Sequence, residues 1–450
     1  MVLREHSDED FYIRIDGKWI LVDRQLLSSH PGGSAMTTYK NLDATTVFHT
    51  FHANSKPAYK MLKEVVDEQK DKNIVTSNLS KLEEENNADF EDVNMGTYNL
   101  TKEEMERMCK NFDQLRFRVR QMGLLNGQTT FFFRKFIEAV TLICISLWLQ
   151  HCEYYVVSAL VMGLAWQQLG WMIHEYCHHQ HFKEHFWNDI MSYVVGNMMQ
   201  GFSSGGWKEQ HNVHHAATNV VGRDGDLDLM PLWATVASDL SQLIDKSVMV
   251  YLIPYQHLYW TLLLPFLRLS WLAQSILFVS QMHNNFYEIY RRRARIEQIT
   301  LTIHWSLVAL QYYFLPTFQI RVMYFLVSQL FGGFLIAHVV TYNHYSTDKF
   351  PHNAKILENY ACLQLYTTRN MRNGIFIDWL WGGLNYQIEH HLFPTMPRNN
   401  LKKVMPLVQE FCRENNLPYM VDDYFTGWKY EIEQFRRVAK IAAEKLQRSA

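Results

Sequence analysis

The sequence predicts two folds in tandem: a small N-terminal α+β domain, then an all-α membrane domain with four transmembrane helices and a histidine-lined cap on its cytosolic side. Three observations predict it. A hairpin turn signal, Asp16-Gly17, separates two short strand-like runs near the start. Four later stretches are apolar over roughly 15 to 21 residues, near the lower to middle range for a bilayer span. The chain holds 21 histidines, and many of them gather at the ends of apolar stretches.

In order along the chain, residues 1–75 form the first unit, with strands over Phe11 to Ile15 and Lys18 to Val22. The opening MVLREHSDEDFY has no apolar leader, so this start is expected in the cytosol, with membrane entry by internal segments. Residues 67 to 97 are polar and acidic, with Glu83-Glu84-Glu85 and Glu91-Asp92, and read as a solvated linker. Thr101 with Glu104 reads as a capping box that starts a helix to about Arg120. Linker and connecting helix together occupy 76–130, and the membrane domain 131–450.

The expected spans are Phe136 to Gln150, Tyr154 to Ile173, Ile299 to Pro316 and Ile320 to Val340. Arg134-Lys135 precedes the first, and Arg291-Arg292-Arg293 with Arg295 precedes the third, whereas the short loops after the first and third spans carry no Lys or Arg. The positive-inside bias then gives two hairpins with both chain ends cytosolic. A fifth apolar stretch, Tyr259 to Ser280, is interrupted by Pro265 and Arg268. A fifth crossing would divide the histidines between the two sides of the bilayer, so this stretch reads as an interfacial or buried helix.

Composition narrows the function. Basic and acidic residues nearly balance, 43 against 45, which gives no pull toward nucleic acid. The six cysteines include no C-x-x-C pair, which argues against a cysteine zinc site. Aromatic residues reach 14%, as expected of membrane-interface belts.

The histidines carry the chemistry. His174, His178 and His179 follow the second span, and His174 and His178 share a helix face at i, i+4. His211, His214 and His215 repeat that logic at i, i+3, i+4. Gln387, His390 and His391 form a third group, and His344 lies just past the fourth span. Lone histidines such as His304 and His338 read as packing or interfacial residues. Seven to nine imidazoles are too many for one metal and imply two. Imidazole suits iron, zinc or copper, so the ligands alone do not name the metal. Asp224, Asp226 and Asp228 lack the spacing of a calcium loop and are expected to orient imidazoles or face solvent.

In the first unit, His30-Pro31-Gly32-Gly33 and the later His52 resemble cytochrome b5, whose HPGG motif supplies one axial haem ligand. The resemblance implies haem b held by His30 and His52, beside Pro31, Gly32 and Gly33. His49 is the alternative second ligand, but the Phe-x-x-Phe-His pattern at 48–52 favours His52. Paired imidazoles leave no open coordination position, which suits electron transfer.

The three histidine groups resemble the membrane fatty acyl desaturases. The fused cytochrome b5-like domain and Gln387 at the head of the third group are similar to the front-end branch. Trp379 to Tyr386, Trp166 to His179 and Gly201 to Asp228 are similar to the animal Δ5 and Δ6 types, the nematode Δ5 type foremost. This resemblance covers almost the whole chain. It implies a di-iron centre ligated by His174, His178, His179, His211, His214, His215, His344, His390 and His391, with Gln387 in the same site. It implies O2 as co-substrate, electrons from NADH through cytochrome b5 reductase, and residence in the endoplasmic reticulum membrane. The substrate would be a C20 polyunsaturated acyl chain on coenzyme A or in a lipid, reaching the metals through a tunnel lined by residues such as Trp166, Gly170, Trp207, Phe334 and Trp381. Competing readings are Δ6 selectivity on C18 chains, a sphingoid-base desaturase or hydroxylase, a non-catalytic membrane haem protein, and a zinc hydrolase.

Overall fold

The computed structural model describes residues 10–53, 55–69, 92–243, 247–352 and 354–449. The acidic stretch with Glu83, Glu84, Glu85 and Glu91 lies outside the described residues.

Strands β1 (Phe11–Ile15) and β2 (Lys18–Val22) pair antiparallel, Phe11 opposite Val22. Asp16 and Gly17 both take positive φ, 50° and 74°, the turn whose twist matches a hairpin. Phe11, Ile13, Ile15, Ile20 and Val22 point into one core. Helix α1 (Arg24–Ser29) starts where the Asp23 carboxylate accepts the Leu26 amide. Helices α2 (Thr45–Phe51) and α3 (Lys56–Gln69) follow, and Leu62, Val65 and Val66 close the same core. Helix α4 (Lys102–Gln121) begins with the expected capping box between Thr101 and Glu104.

Four long helices come as two hairpins: α5 (Thr129–His151) with α6 (Tyr155–Cys177), and later α12 (Glu288–Tyr313) with α13 (Phe318–Tyr342). Between them lie α7 (His185–Ser192), α8 (Ser204–Ala216), α9 (Val248–Leu252), α10 (Gln256–Leu263) and α11 (Leu267–Gln281). Beyond them a cap is built from α14 (Tyr360–Thr367), α15 (Ile375–Leu380), α16 (Gln387–Leu392), α17 (Arg398–Glu414) and α18 (Tyr424–Ser449). A two-residue parallel pairing of Asn370–Met371 with Val421–Asp422 ties the cap together.

The helices overrun the apolar stretches at their basic ends. Arg134 and Lys135 lie inside α5, each paired with Glu138, and Arg291 to Arg295 lie inside α12. Helices α6 and α13 run parallel and close together. A side chain on Gly163 would lie 2.8 Å from the Ser328 carbonyl and 3.0 Å from the Gly332 amide, so small residues set this crossing. Ser146, Ser158 and Tyr324 join the hairpins through buried hydroxyls 3.0–3.1 Å apart. Because the two helices run parallel, the end of α6 that carries His174 meets the end of α13 that leads to His344.

Among the described residues, three segments are long and apolar enough to cross a membrane: Tyr155–Cys177, Val248–Asn284 and Phe318–Tyr342. The second contains the stretch read as interfacial. Its helix breaks at Leu264–Phe266, where Pro265 cannot donate to the helical ladder. Trp260 packs 5.9 Å from Tyr345, one residue past His344. At the break, the Pro265 carbonyl faces Gly333, well back along α13. Beyond it, Leu272 packs with Ile173 and Cys177, which flank His174. Both arms of this segment therefore reach the histidine-bearing end of the bundle. Arg268 sits between them, fully buried, donating to Gln329 and the Gln200 carbonyl at 2.8 Å and lying over the Trp166 ring at 4.2 Å. These partners let a cation lie in apolar surroundings.

Candidate metal centre

Four chain segments deliver imidazoles to one place. The end of α6 brings His174 and His178, one helical turn apart. Helix α8 starts where the Ser203 hydroxyl accepts the Gly206 amide, and presents His211, His214 and His215. His344 follows α13 directly, and α16 brings Gln387, His390 and His391. The cap buries α16 through Ile388 and Leu392, which pack with Phe112 of α4 and Phe411 of α17.

The imidazoles fall into two adjoining groups. His174, His178, His211, His215 and His390 place ligand atoms within 4.8 Å of one another, and so do His214, His344 and His391. His211 and His214, one turn apart on α8, join the groups and form a third set with Asp226. His215 Nε2 lies 3.1 Å from His211 Nε2 and 3.1 Å from His390 Nε2. Adjacent ligands about 2.1 Å from a shared metal are separated by about 3 Å, so these spacings fit metal ligation. The buried Nε2 atoms of His178 and His391 have no hydrogen-bond partner, as expected of atoms that await a metal.

Four of the opposite ring nitrogens are held by protein. His211 Nδ1 lies 2.8 Å from Asp226, His214 Nδ1 2.9 Å from Asp224, His391 Nδ1 2.8 Å from the Gln364 amide oxygen, and His344 Nδ1 3.1 Å from the Thr367 carbonyl. An acceptor at Nδ1 puts the proton there and leaves Nε2 as a lone pair. Burial, and then the neighbouring imidazoles, hold His178, His211, His215, His390 and His391 well below the usual histidine range, so they stay neutral. Burial and His214 do the same for His344. His214 shifts the other way: burial opposes its charge, but the Asp224 carboxylate and its hydrogen bond outweigh burial. Burial also pushes Asp226 up to about 7.

The structure does not bring His179 into either group. With φ at 56°, it leaves the helical path after His178 and stacks on His185 at 4.0 Å. Its Nε2 lies 3.2 Å from Asp189 and 3.0 Å from Lys208. Burial and the Lys208 charge bring it down to about 3. The three glutamates beside the clusters also turn elsewhere. Glu175 takes two hydrogen bonds from Arg398, Glu389 takes them from Asn370 and Tyr419, and Glu209 takes one from Tyr290. Gln387 Nε2 lies 3.0 Å from His344 Nε2 in the second group. His304 Nδ1 faces the Met198 carbonyl, and His338 pairs with Tyr424.

A cavity of about 1090 Å³ opens onto the imidazoles, at the upper end for ligand pockets. His174, His211, His214 and His344 form part of its wall, and Trp171, Phe266, Leu267 and Ile336 form part of its apolar length. Of the expected tunnel residues, Gly170 and Trp207 line it. Trp166, Phe334 and Trp381 do not: Trp166 covers Arg268, Phe334 is exposed, and Trp381 packs on Tyr342. No local pattern along the chain marks Gln364 and Thr367, which hold His391 and His344 from another segment.

In the N-terminal unit, the His30 and His52 rings face each other with centroids 6.3 Å apart. Two imidazoles binding one metal from opposite sides at about 2 Å put their centroids on the order of 6 Å apart. His30 is buried, and burial with the facing His52 brings it down to about 4 against the opposing pull of the Gly33 backbone. His52 Nδ1 donates to the Phe48 carbonyl at 2.9 Å, which leaves Nε2 free to bind. His49 instead lies 2.9 Å from both Asp16 and Tyr59. Gly32 faces the His30 ring so closely that a side chain there would clash at 2.6 Å.

Residues 153–422 match the family model described as Fatty acid desaturase. The chain is 58% identical to the Delta(5) fatty acid desaturase fat-4 of Caenorhabditis elegans, over 99% of both chains. It is 45% identical to the Delta(6)-fatty-acid desaturase fat-3 of the same organism, over 95% of this chain and 96% of that one. A Delta(8)-fatty-acid desaturase of Euglena gracilis is 34% identical over 88% of each chain.

Proposed function

The chain belongs to the fatty acid desaturase family, and from that premise we propose that it is a front-end desaturase that inserts a cis double bond at Δ5 of C20 polyunsaturated acyl chains. The gathering of eight imidazoles in two adjoining groups, four of them on the wall of one largely apolar cavity, carries the reaction class. The full-length similarity to a Delta(5) desaturase carries the bond position. One observation favours a second reading, Δ6 on C18 chains: the 45% identity to a Delta(6) enzyme.

In balance, an acyl –CH2–CH2– unit, O2, two electrons and two protons become –CH=CH– and two waters. Two iron ions, one held in each imidazole group, would supply the oxygen activation that acid or base side chains cannot. His174, His178, His211, His215 and His390 would hold one, and His214, His344 and His391 the other. Asp224, Asp226, Gln364 and the Thr367 carbonyl fix the rings by holding their Nδ1 protons. The Gln387 amide donates toward the His344 lone pair at 3.0 Å, so it lies beside the nitrogen that would bind the metal. The apolar cavity wall orients the chain and excludes water. The acyl carrier is coenzyme A or a lipid.

We assign haem b to the N-terminal unit. The facing rings of His30 and His52, both buried and held below the usual histidine range, support this. Bound there, it would relay electrons from NADH by way of cytochrome b5 reductase. The domains follow as 1–75 for haem, 76–130 for linker and connecting helix, and 131–450 for desaturation. The proposed membrane arrangement has four spans in two hairpins, α5–α6 and α12–α13. The 248–284 segment re-enters without crossing, which its two arms at the histidine end support. Both termini and the metal centre face the cytosol, in the endoplasmic reticulum membrane.

Expression in a host that lacks polyunsaturated acids, fed C18 and C20 acids separately, tests the reading. Mass spectrometry locates the new bond. A Δ5 bond in the C20 acid is expected, and conversion of the C18 acid alone overturns the assignment.

A further inference from the structure

The N-terminal unit does not hang free of the membrane domain; it is seated on α8, the helix that carries His211, His214 and His215. Three contacts follow α8. Toward its start, Glu209 meets the His30 loop. The Ser34 amide points at both carboxylate oxygens at 3.4 Å, and Tyr290 of α12 donates to Oε2 at 2.8 Å. A side chain on Gly33, whose φ is 63°, would fall 1.9 Å from that oxygen, so the loop approaches Glu209 as only glycine allows. At the far end of α8, the Tyr39 hydroxyl donates to the Ala216 carbonyl at 3.2 Å. Between them, the Phe51 ring meets the His215 ring edge-on at 6.3 Å and the Tyr360 ring at 6.2 Å. Arg116 of α4 clamps the same helix of the unit from behind, donating to the Thr46 carbonyl at 3.1 Å.

Phe51 thus occupies a singular place. It is bonded to His52 and touches His215, which belongs to the larger imidazole group. Tyr360, its other neighbour, donates at 2.5 Å to the carbonyl of His391, from the second group. Electron tunnelling falls steeply with the gap between centres, so the shortest bridge of covalent bonds and packed atoms carries the current.

We infer that electrons enter the metal centre by way of Phe51 and His215, and that Glu209 holds the N-terminal unit in the orientation this needs. The inference rests on the reading of His30 and His52 as a haem pair. In the step, ferrous haem is oxidised to ferric and one ferric ion of the centre is reduced to ferrous. One electron moves, and no atom or proton. The step occurs twice per double bond, with O2 as final oxidant. Phe51 is here a positioning residue: it touches a ligand of each centre and no substrate.

Stopped-flow absorbance on the full-length protein, loaded with haem and iron, tests it. The haem is reduced with NADH and cytochrome b5 reductase without oxygen, then mixed with oxygen and acyl substrate. Phe51→Leu is expected to slow haem reoxidation roughly tenfold or more, the scale on which small misplacements cost rate. Haem reduction, the haem spectrum and the iron content stay as in the unaltered protein. Phe51→Trp, which keeps an aromatic ring, restores the rate. If the leucine variant loses haem, Phe51→Met repeats the comparison. Glu209→Gln also slows reoxidation, with the spectrum unchanged. Reoxidation at the unaltered rate in the leucine or methionine variant, with both cofactors bound, overturns the inference alone. So does slowing by His185→Leu but not by Phe51→Leu, since His185, close enough for its charge to act on His52 and stacked on His179, would then carry the route. An unaltered protein that binds no haem overturns both this inference and the haem reading.

Discussion

The molecule uses histidine in two places, and the places differ in number, partners and access. The N-terminal unit aims two rings, His30 and His52, at each other across 6.3 Å. The membrane domain gathers eight, in groups of five and three, against a cavity of about 1090 Å³. The first arrangement suits one metal with no open position, which on the proposed reading would pass an electron and do little else. The second leaves room for oxygen and a long apolar chain, and it anchors its rings through Nδ1 to residues on several segments. On that reading the same side chain would serve two chemistries, and the difference lies in what surrounds it.

The largest expected effect comes from removing one ligand at each place. His390→Ala should abolish desaturation and lower the iron content while leaving the haem spectrum intact. His30→Ala should abolish haem reduction while leaving the iron in place. Product analysis, metal analysis and absorbance read both arms, and loss of both cofactors in either variant would show that the two places are not separable.

A smaller effect is expected one step out. Asp226→Asn keeps the shape but weakens the hold on His211 Nδ1, 2.8 Å away. Loss of such an outer partner costs roughly 10- to 100-fold in metal affinity or activity. An iron titration measures it, and unchanged affinity would remove Asp226 from the ring-orienting set.

The smallest effect is expected at His179, which adjoins His178 in sequence but pairs with Asp189 and Lys208. His179→Gln should leave the iron content unchanged and cost less than about tenfold in turnover. Loss of iron would return it to the ligand set and blur the contrast with its neighbours.

His174 and His178 were legible because a helix puts i and i+4 on one face, and His211, His214 and His215 for the same reason. His179 was not, because its left-handed φ breaks that periodicity just where the pattern would extend it. The strands at Phe11–Ile15 and Lys18–Val22 were legible from the Asp16-Gly17 turn and the alternating residues beside it. The tunnel was legible only in part. Trp166 lies near the first histidine group in sequence, yet its face is taken by Arg268, from a segment a hundred residues away.

By itself, then, the sequence determined the local geometry: helix faces, the hairpin, the capping box and the residue types able to bind metal. These depend on residues within a few positions of one another. Which imidazoles share a metal, which nitrogen each presents, and where the N-terminal unit rests on α8 were decided only by tertiary structure. Those outcomes depend on how α6, α8, α13 and α16 pack, and packing joins residues that no spacing along the chain connects.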